Sequence, residues 1–186
     1  DRYNHQILGG WMDKAEGVIF GNWSTGLFNT GTESIYGQDF GFSVDPTVLI
    51  KAAIHKESKK IWVKTMYAKA GMSTKEIGEN NRRYAGEDLI ICDSAEPRLI
   101  SELKEYCNIK PTIKRSGSIL TGIALIQDFD LIIDPDSTEL IKELNNYVWH
   151  ERNTRPIDKW NHQLDSLRYC IQYFLANASK GVYVIR

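Results

Sequence analysis

The sequence predicts an α/β fold built on one mixed sheet, with a three-stranded antiparallel meander followed by parallel strands and flanked by helices. Three observations predict it. Residues 34–69 hold three β-rich segments separated only by short polar or glycine turns, the spacing of a meander. From Ser73 onward the apolar period lengthens, and helical stretches alternate with short apolar runs. Residues 88–93 (DLIICD) form a nearly continuous apolar run, as in a strand covered on both faces.

The elements follow in order. Residues 1–33 are rich in glycine and aromatics without a sustained period and are expected to be an irregular lead-in, with the folded domain spanning 34–186. Because the chain opens on Asp1 rather than Met, it is expected to be a piece of something longer. Residues 34–41 (SIYGQDFG) read as a strand ending at a glycine turn. Residues 47–55 (TVLIKAAIH) are β-branched at their start, and 61–69 (IWVKTMYAK) alternate with period two. Ser73-Thr74-Lys75-Glu76 is a capping box, opening a helix that Gly86 closes. Pro97 occupies a first helical position, with Leu99, Ile100, Leu103 and Tyr106 at helical spacing. Residues 110–114 and 131–134 read as short strands and 119–129 as an apolar helix. Residues 138–149 read as a helix with Leu140, Ile141, Leu144 and Val148 on one face, and 161–176 as a final helix burying Leu164, Leu167, Ile171, Phe174 and Leu175.

Composition narrows the function classes. At 186 residues there is room for one domain, and 42% hydrophobic with 25% charged residues excludes disorder for most of the length. Lys and Arg number 23 against 24 Asp and Glu, a formal charge of -1, which excludes a strongly basic, histone-like nucleic-acid binder. No apolar run approaches the roughly 18 residues of a membrane span, and residues 1–10 lack a signal-peptide layout. Cys92, Cys107 and Cys170 are far apart with no CxxC pair. That argues against a disulfide framework or zinc knuckle and for a reducing compartment.

Three aspartates stand where apolar residues belong. Asp39 lies between aromatics in YGQDFGF, Asp93 ends the DLIICD run, and Asp165 sits on the last helix three residues from His162. Ionised carboxylates in a water-poor setting are costly unless paired, and three converging would repel one another unless a cation neutralises them. An all-oxygen set selects a hard ion such as magnesium or manganese. Each residue also has a plainer reading: Asp39 as a strand-end hydrogen-bonding residue, Asp93 as a helix cap, Asp165 as a solvated helix position, His162 as a structural residue. Residues 39–43 (DFGFS) resemble the phosphate turn of actin-like ATPases, but no second copy exists, and no P-loop is present.

Taken together, five stretches resemble the nuclease domain of tailed-bacteriophage terminase large subunits, most of all the group of phage SPP1 and defective prophages. They are YGQDFGFSVDPTVLI (36–50), ICDSAEPRLISELK (91–104), IKRSGSILTGIALIQ (113–127), ELIKELNNYVW (139–149) and PIDKWNHQLDSLRYCI (156–171). LGGWMDKAEGVIF in the lead-in resembles the segment that follows the ATPase motor in such proteins. The resemblance implies a ribonuclease-H-like fold and a two-metal endonuclease that cuts concatemeric double-stranded DNA with little sequence preference during genome packaging. It implies two divalent cations, Mg2+ or Mn2+, on Asp39, Asp93 and Asp165, with His162 beside them as a further catalytic residue. The implied partners are an N-terminal ATPase motor, the terminase small subunit and the portal, with no membrane, in the host cytoplasm. The connection between Trp149 and Pro156 is shorter than expected for the group. DNA would be held through its phosphates by Lys114, Arg115, Arg152, Arg155 and Lys159, with Arg82 and Arg83 as further basic positions. Two alternatives stay open: a junction resolvase or integrase-type nuclease on the same fold, and a noncatalytic module that docks DNA or capsid proteins.

Overall fold

A computed structural model describes residues 15–150 and 155–178 of the chain. Its strands are β1 (Trp23–Thr25), β2 (Ser34–Asp39), β3 (Pro46–His55), β4 (Lys60–Ala70), β5 (Ile90–Cys92), β6 (Ile109–Pro111) and β7 (Asp130–Ile133). The helices are α1 (Thr74–Ala85), α2 (Pro97–Leu103), α3 (Ser118–Gln127), α4 (Thr138–Asn146) and α5 (His162–Ala178). One sheet runs in the order β1-β7-β4-β3-β2-β5-β6. The expected meander is there, with β2, β3 and β4 antiparallel and every other pairing parallel. A β-bulge interrupts β3 and β4 between Leu49 and Ile50.

The capping box forms as the sequence predicts: Ser73 Oγ accepts from the Glu76 backbone N–H at 3.3 Å, and Glu76 Oε2 accepts from the Ser73 N–H at 2.8 Å. Gly86 closes α1 at φ 58°, a left-handed conformation open to glycine. Three expectations are corrected. The second half of the lead-in is not irregular, because Trp23–Thr25 pairs in parallel with β7 and Ile19 and Phe20 enter the core. Residues 1–14 of that lead-in, including most of LGGWMDKAEGVIF, lie outside the described residues. Helix α2 stops at Leu103 rather than reaching Tyr106, and α4 stops at Asn146 rather than Trp149. There the chain turns extended, Val148 bridges to Val18, and Trp149 bridges to Pro156. The two ends of the short connection thus pair antiparallel, with residues 151–154 outside the described residues.

The pleat divides the core into two layers. Ile35, Val48, Ile50, Ala52, Ile91, Leu131 and Ile133 face α3, α4 and α5, while Tyr36, Leu49, Ile90, Cys92 and Ile109 face α1 and α2. Successive strand residues alternate faces, so Gly37 and Asp39 follow Ile35 onto the α5 side. Asp93, two residues beyond Ile91, continues on that side. Parallel pairing of β2 with β5 sets Gly37 opposite Ile91 and Gln38 opposite Cys92. The Asp93 N–H donates to the Gln38 carbonyl at 3.1 Å, which brings the two strand ends together.

Two details seat α5 over those ends. Gly37 lies against the helix backbone so closely that a Cβ there would stand 2.0 Å from the Ser166 carbonyl oxygen. Glu143, from α4, caps the start of α5: its carboxylate accepts from the Gln163 N–H at 2.9 Å and the Leu164 N–H at 3.0 Å. These are first-turn donors that no intrahelical carbonyl can reach. Burial, only partly offset by those hydrogen bonds, pushes the Glu143 carboxyl up to about 7.

Substituting Gly37→Ala should destabilise the domain by about 1–3 kcal/mol, because the methyl group meets backbone rather than a yielding side chain. Chemical denaturation checks this, and wild-type stability would contradict the close approach. Because the folded Glu143 holds its proton more tightly than the unfolded chain does, its contribution to stability should grow as pH falls from about 7 toward 4.5 and vanish above 7. Denaturation midpoints across that range should show a shallower pH dependence in Glu143→Gln than in wild type.

Candidate functional site

The three aspartates meet at one cleft. Asp39 ends β2, Asp93 follows β5, and Asp165 occupies the first turn of α5. All three line a cavity of about 880 Å³ with Asp45, Lys114, Glu139, Glu143, Asp158, Lys159, Trp160, His162 and Tyr169. The aspartate side chains are only 13%, 17% and 21% exposed, so water screens them poorly. Burial raises the Asp39 carboxyl above its usual range, and the charges of Asp165 and Asp93 raise it further against the His162 hydrogen bond. Burial likewise raises Asp165, with Arg168 and Lys114 opposing and Asp93 adding to the rise. Asp39 and Asp165 therefore each sense a neighbouring carboxylate's charge.

Each is also steadied by this chain's own groups. His162 Nδ1 stands 3.1 Å from Asp39 Oδ2, and its Nε2 stands 3.7 Å from Asp45. That Asp39 hydrogen bond is the main cause of an imidazole pKa raised above its usual value. Lys114 Nζ contacts Asp93 Oδ1 at 2.5 Å, and the same oxygen accepts from the Ala95 N–H at 3.3 Å. Arg168 donates from Nη2 and Nε to Asp165 Oδ1 at 2.9 and 3.2 Å. Among the described residues no three Asp, Glu, His or Cys side chains are gathered into a preformed cage. The carboxylates instead face one cleft, each with one oxygen engaged. Asp39 Oδ1, Asp93 Oδ2 and Asp165 Oδ2 make no hydrogen bond among the described residues.

The residues read as basic contacts scatter. Lys114 and Lys159 line the cleft, Arg115 and Arg155 are exposed, and Arg152 lies outside the described residues. Arg82 is on α1, which packs on the other face of the sheet, and donates to the carbonyls of Tyr106 and Glu105. The DFGFS turn closes on itself: Thr47 Oγ1 accepts from the Gly41 N–H at 3.2 Å and donates to the Gly41 carbonyl at 3.1 Å.

Sequence reasoning missed Glu143, Tyr169 and Asp45 as members of the cleft, and Arg168 as the partner of Asp165. Two left a signal. Glu143 is a carboxylate on the apolar stripe of α4 between Leu140 and Leu144, and Arg168 lies one helical turn from Asp165.

Comparison with known proteins follows from this geometry. The family model described as the terminase RNase H-like domain matches residues 39–173, from the first aspartate to beyond the third. The terminase large subunit of Escherichia phage T5 is 28% identical over 155 residues, which is 75% of this chain and 35% of the T5 protein. The chain therefore spans about a third of that relative. The nuclease domain of the large terminase of bacteriophage SPP1, solved with bound Mn, superposes at a TM-score of 0.74 with 25% identity, covering 84% of this chain and 99% of the other. The nuclease domain of the P22 large terminase shares the fold at a TM-score of 0.68 and 15% identity, covering 87% of this chain and 93% of the other. A match across both the strand-end acids and the helix that faces them is the sequence counterpart of the cleft, and by it the chain belongs to the terminase RNase H-like domain family.

Proposed function

We propose that the chain is the nuclease portion of a phage packaging enzyme, a metal-dependent endonuclease that hydrolyses the phosphodiester backbone of double-stranded DNA with little sequence preference. The observation that carries this reading is the set of three poorly screened aspartates, from two strand ends and one helix, facing a single open cleft.

The donor set fits a hard divalent cation. It is all oxygen, no thiolate lines the cleft, and each aspartate keeps one oxygen outside its own-chain bond. Asp39, Asp93 and Asp165 would hold two such ions, Mg2+ or Mn2+, and the SPP1 relative was solved with bound Mn. When bound, the cations supply Lewis-acid activation of water and stabilise charge on the scissile phosphate. His162 holds Asp39 in orientation through Nδ1. Arg168 fixes one Asp165 oxygen and so aims the other into the cleft. Glu143 sets where α5 begins, and with it the positions of His162 and Asp165. No protein nucleophile is needed, because water attacks.

The cleft is predominantly acidic, so affinity for a DNA polyanion must come from the basic side chains in and around it. Lys159 and Lys114 in the cleft and the exposed Arg115 and Arg155 are the proposed phosphate contacts, with Arg152, outside the described residues, proposed from the sequence. Phosphate contacts position the duplex without reading its bases. In the full-length protein this nuclease would work beside an N-terminal ATPase motor, with the terminase small subunit and the portal as partners in the host cytoplasm, a reading supported by the match to part of the T5 terminase large subunit.

Asp39→Ala, Asp93→Ala and Asp165→Ala should each reduce plasmid cleavage in manganese to background while circular dichroism stays native. Cutting by all three variants would overturn the reading. Lys159→Ala and Arg155→Ala should each weaken duplex binding alike on unrelated sequences and reduce the slope of log affinity against log salt by about 1. A filter-binding salt series measures this, and unchanged slopes would remove those residues from the interface.

A further inference from the structure

Two cations of this chain answer the buried aspartates, and they are held differently. Arg168 is packed in place: its side chain is 6% exposed and its guanidinium lies 4.8 Å from the Tyr169 ring centroid. Its stem lies over Gly122 of α3, where a Cβ would stand 2.4 Å away. Lys114 is not packed in. It sits on the connection between β6 and α3, beside exposed Ile113 and Arg115, with a side chain 47% exposed. Its only ion pair among the described residues is with Asp93 Oδ1 at 2.5 Å. From there its charge also reaches Asp165, and its ammonium stands 6.0 Å from the Tyr169 ring.

An ammonium on a flexible four-carbon stem, touching one carboxylate and sensing a second, already supplies positive charge that a bound cation would otherwise bring. A lysine contributes a single compact charge and leaves readily, whereas a planar guanidinium bound twice to one oxygen does not. We propose that Lys114 is a displaceable counter-cation: it neutralises Asp93 until a divalent cation takes that carboxylate, and the cost of its release sets the metal affinity of the cleft. This rests on the nuclease reading above, since it needs Asp93 to ligate metal. Arg168, by contrast, stays on Asp165 Oδ1 throughout.

The ion pair is half exposed, so its loss should change affinity modestly. Calorimetric titration of Mn2+ into the folded chain tests the proposal, with folding of every variant verified by circular dichroism. Lys114→Met should bind Mn2+ about two- to fivefold tighter than wild type. Lys159→Met removes an equal charge from the same cleft but breaks no ion pair among the described residues, and it should stay near wild type. In an Asp93→Asn background the Lys114→Met gain should disappear. Equal or weaker binding by Lys114→Met, an equal gain from Lys159→Met, or a gain that survives Asp93→Asn would each overturn the displacement. If wild type and all variants fail to bind Mn2+, the metal-site reading falls and takes this proposal with it.

Discussion

The contact between a helix backbone and a strand backbone at Gly37 governs the rest of the structure. Only where a strand residue lacks a side chain can the Ser166 carbonyl settle on it, and only then does α5 cross low enough for Asp165 to face the ends of β2 and β5. A strand presents Gly37 and Asp39 on one face because its side chains alternate. The residue that admits the helix and the residue that meets it are therefore two positions apart by necessity. Capping by Glu143 completes the constraint from the other direction, since it fixes the helix start while Gly37 fixes its height.

That arrangement costs stability. Three carboxylates are held largely out of water, and burial together with neighbouring negative charge makes Asp39 and Asp165 resist ionisation. The chain offsets this with three groups of graded permanence: a packed arginine on Asp165, a histidine on Asp39 and a half-exposed lysine on Asp93. The large apolar layers on both faces of the sheet supply the stability that the cleft gives up. Functional sites commonly store such local cost against a well-packed frame.

Much of this was legible in the sequence for a physical reason. Asp39, Asp93 and Asp165 interrupt apolar patterns, and a buried charge is the least expected thing such a pattern can contain. The meander, the capping box and the continuous β5 run were equally readable, because local periodicity and local hydrogen bonding determine them. What could not be read depends on contacts distant in the chain. Trp23–Thr25 has no periodicity and is a strand only because β7 offers an edge. Leu144 and Val148 keep helical spacing, yet α4 ends at Asn146 because Val148 bridges Val18 instead. Lys114 and Asp93 are 21 residues apart, and only the parallel neighbours β5 and β6 bring their segments side by side.

The account depends on the strand-end and helix carboxylates acting as one cation-binding centre. Crystals of the domain soaked in manganese, with anomalous difference maps calculated at the manganese edge, test that most directly. Strong peaks should lie within ligand distance of Asp39, Asp93 and Asp165, with Lys114 moved off Asp93. A cleft without anomalous density at saturating manganese, or peaks only at Glu139, Asp158 or other outlying acids, would contradict it.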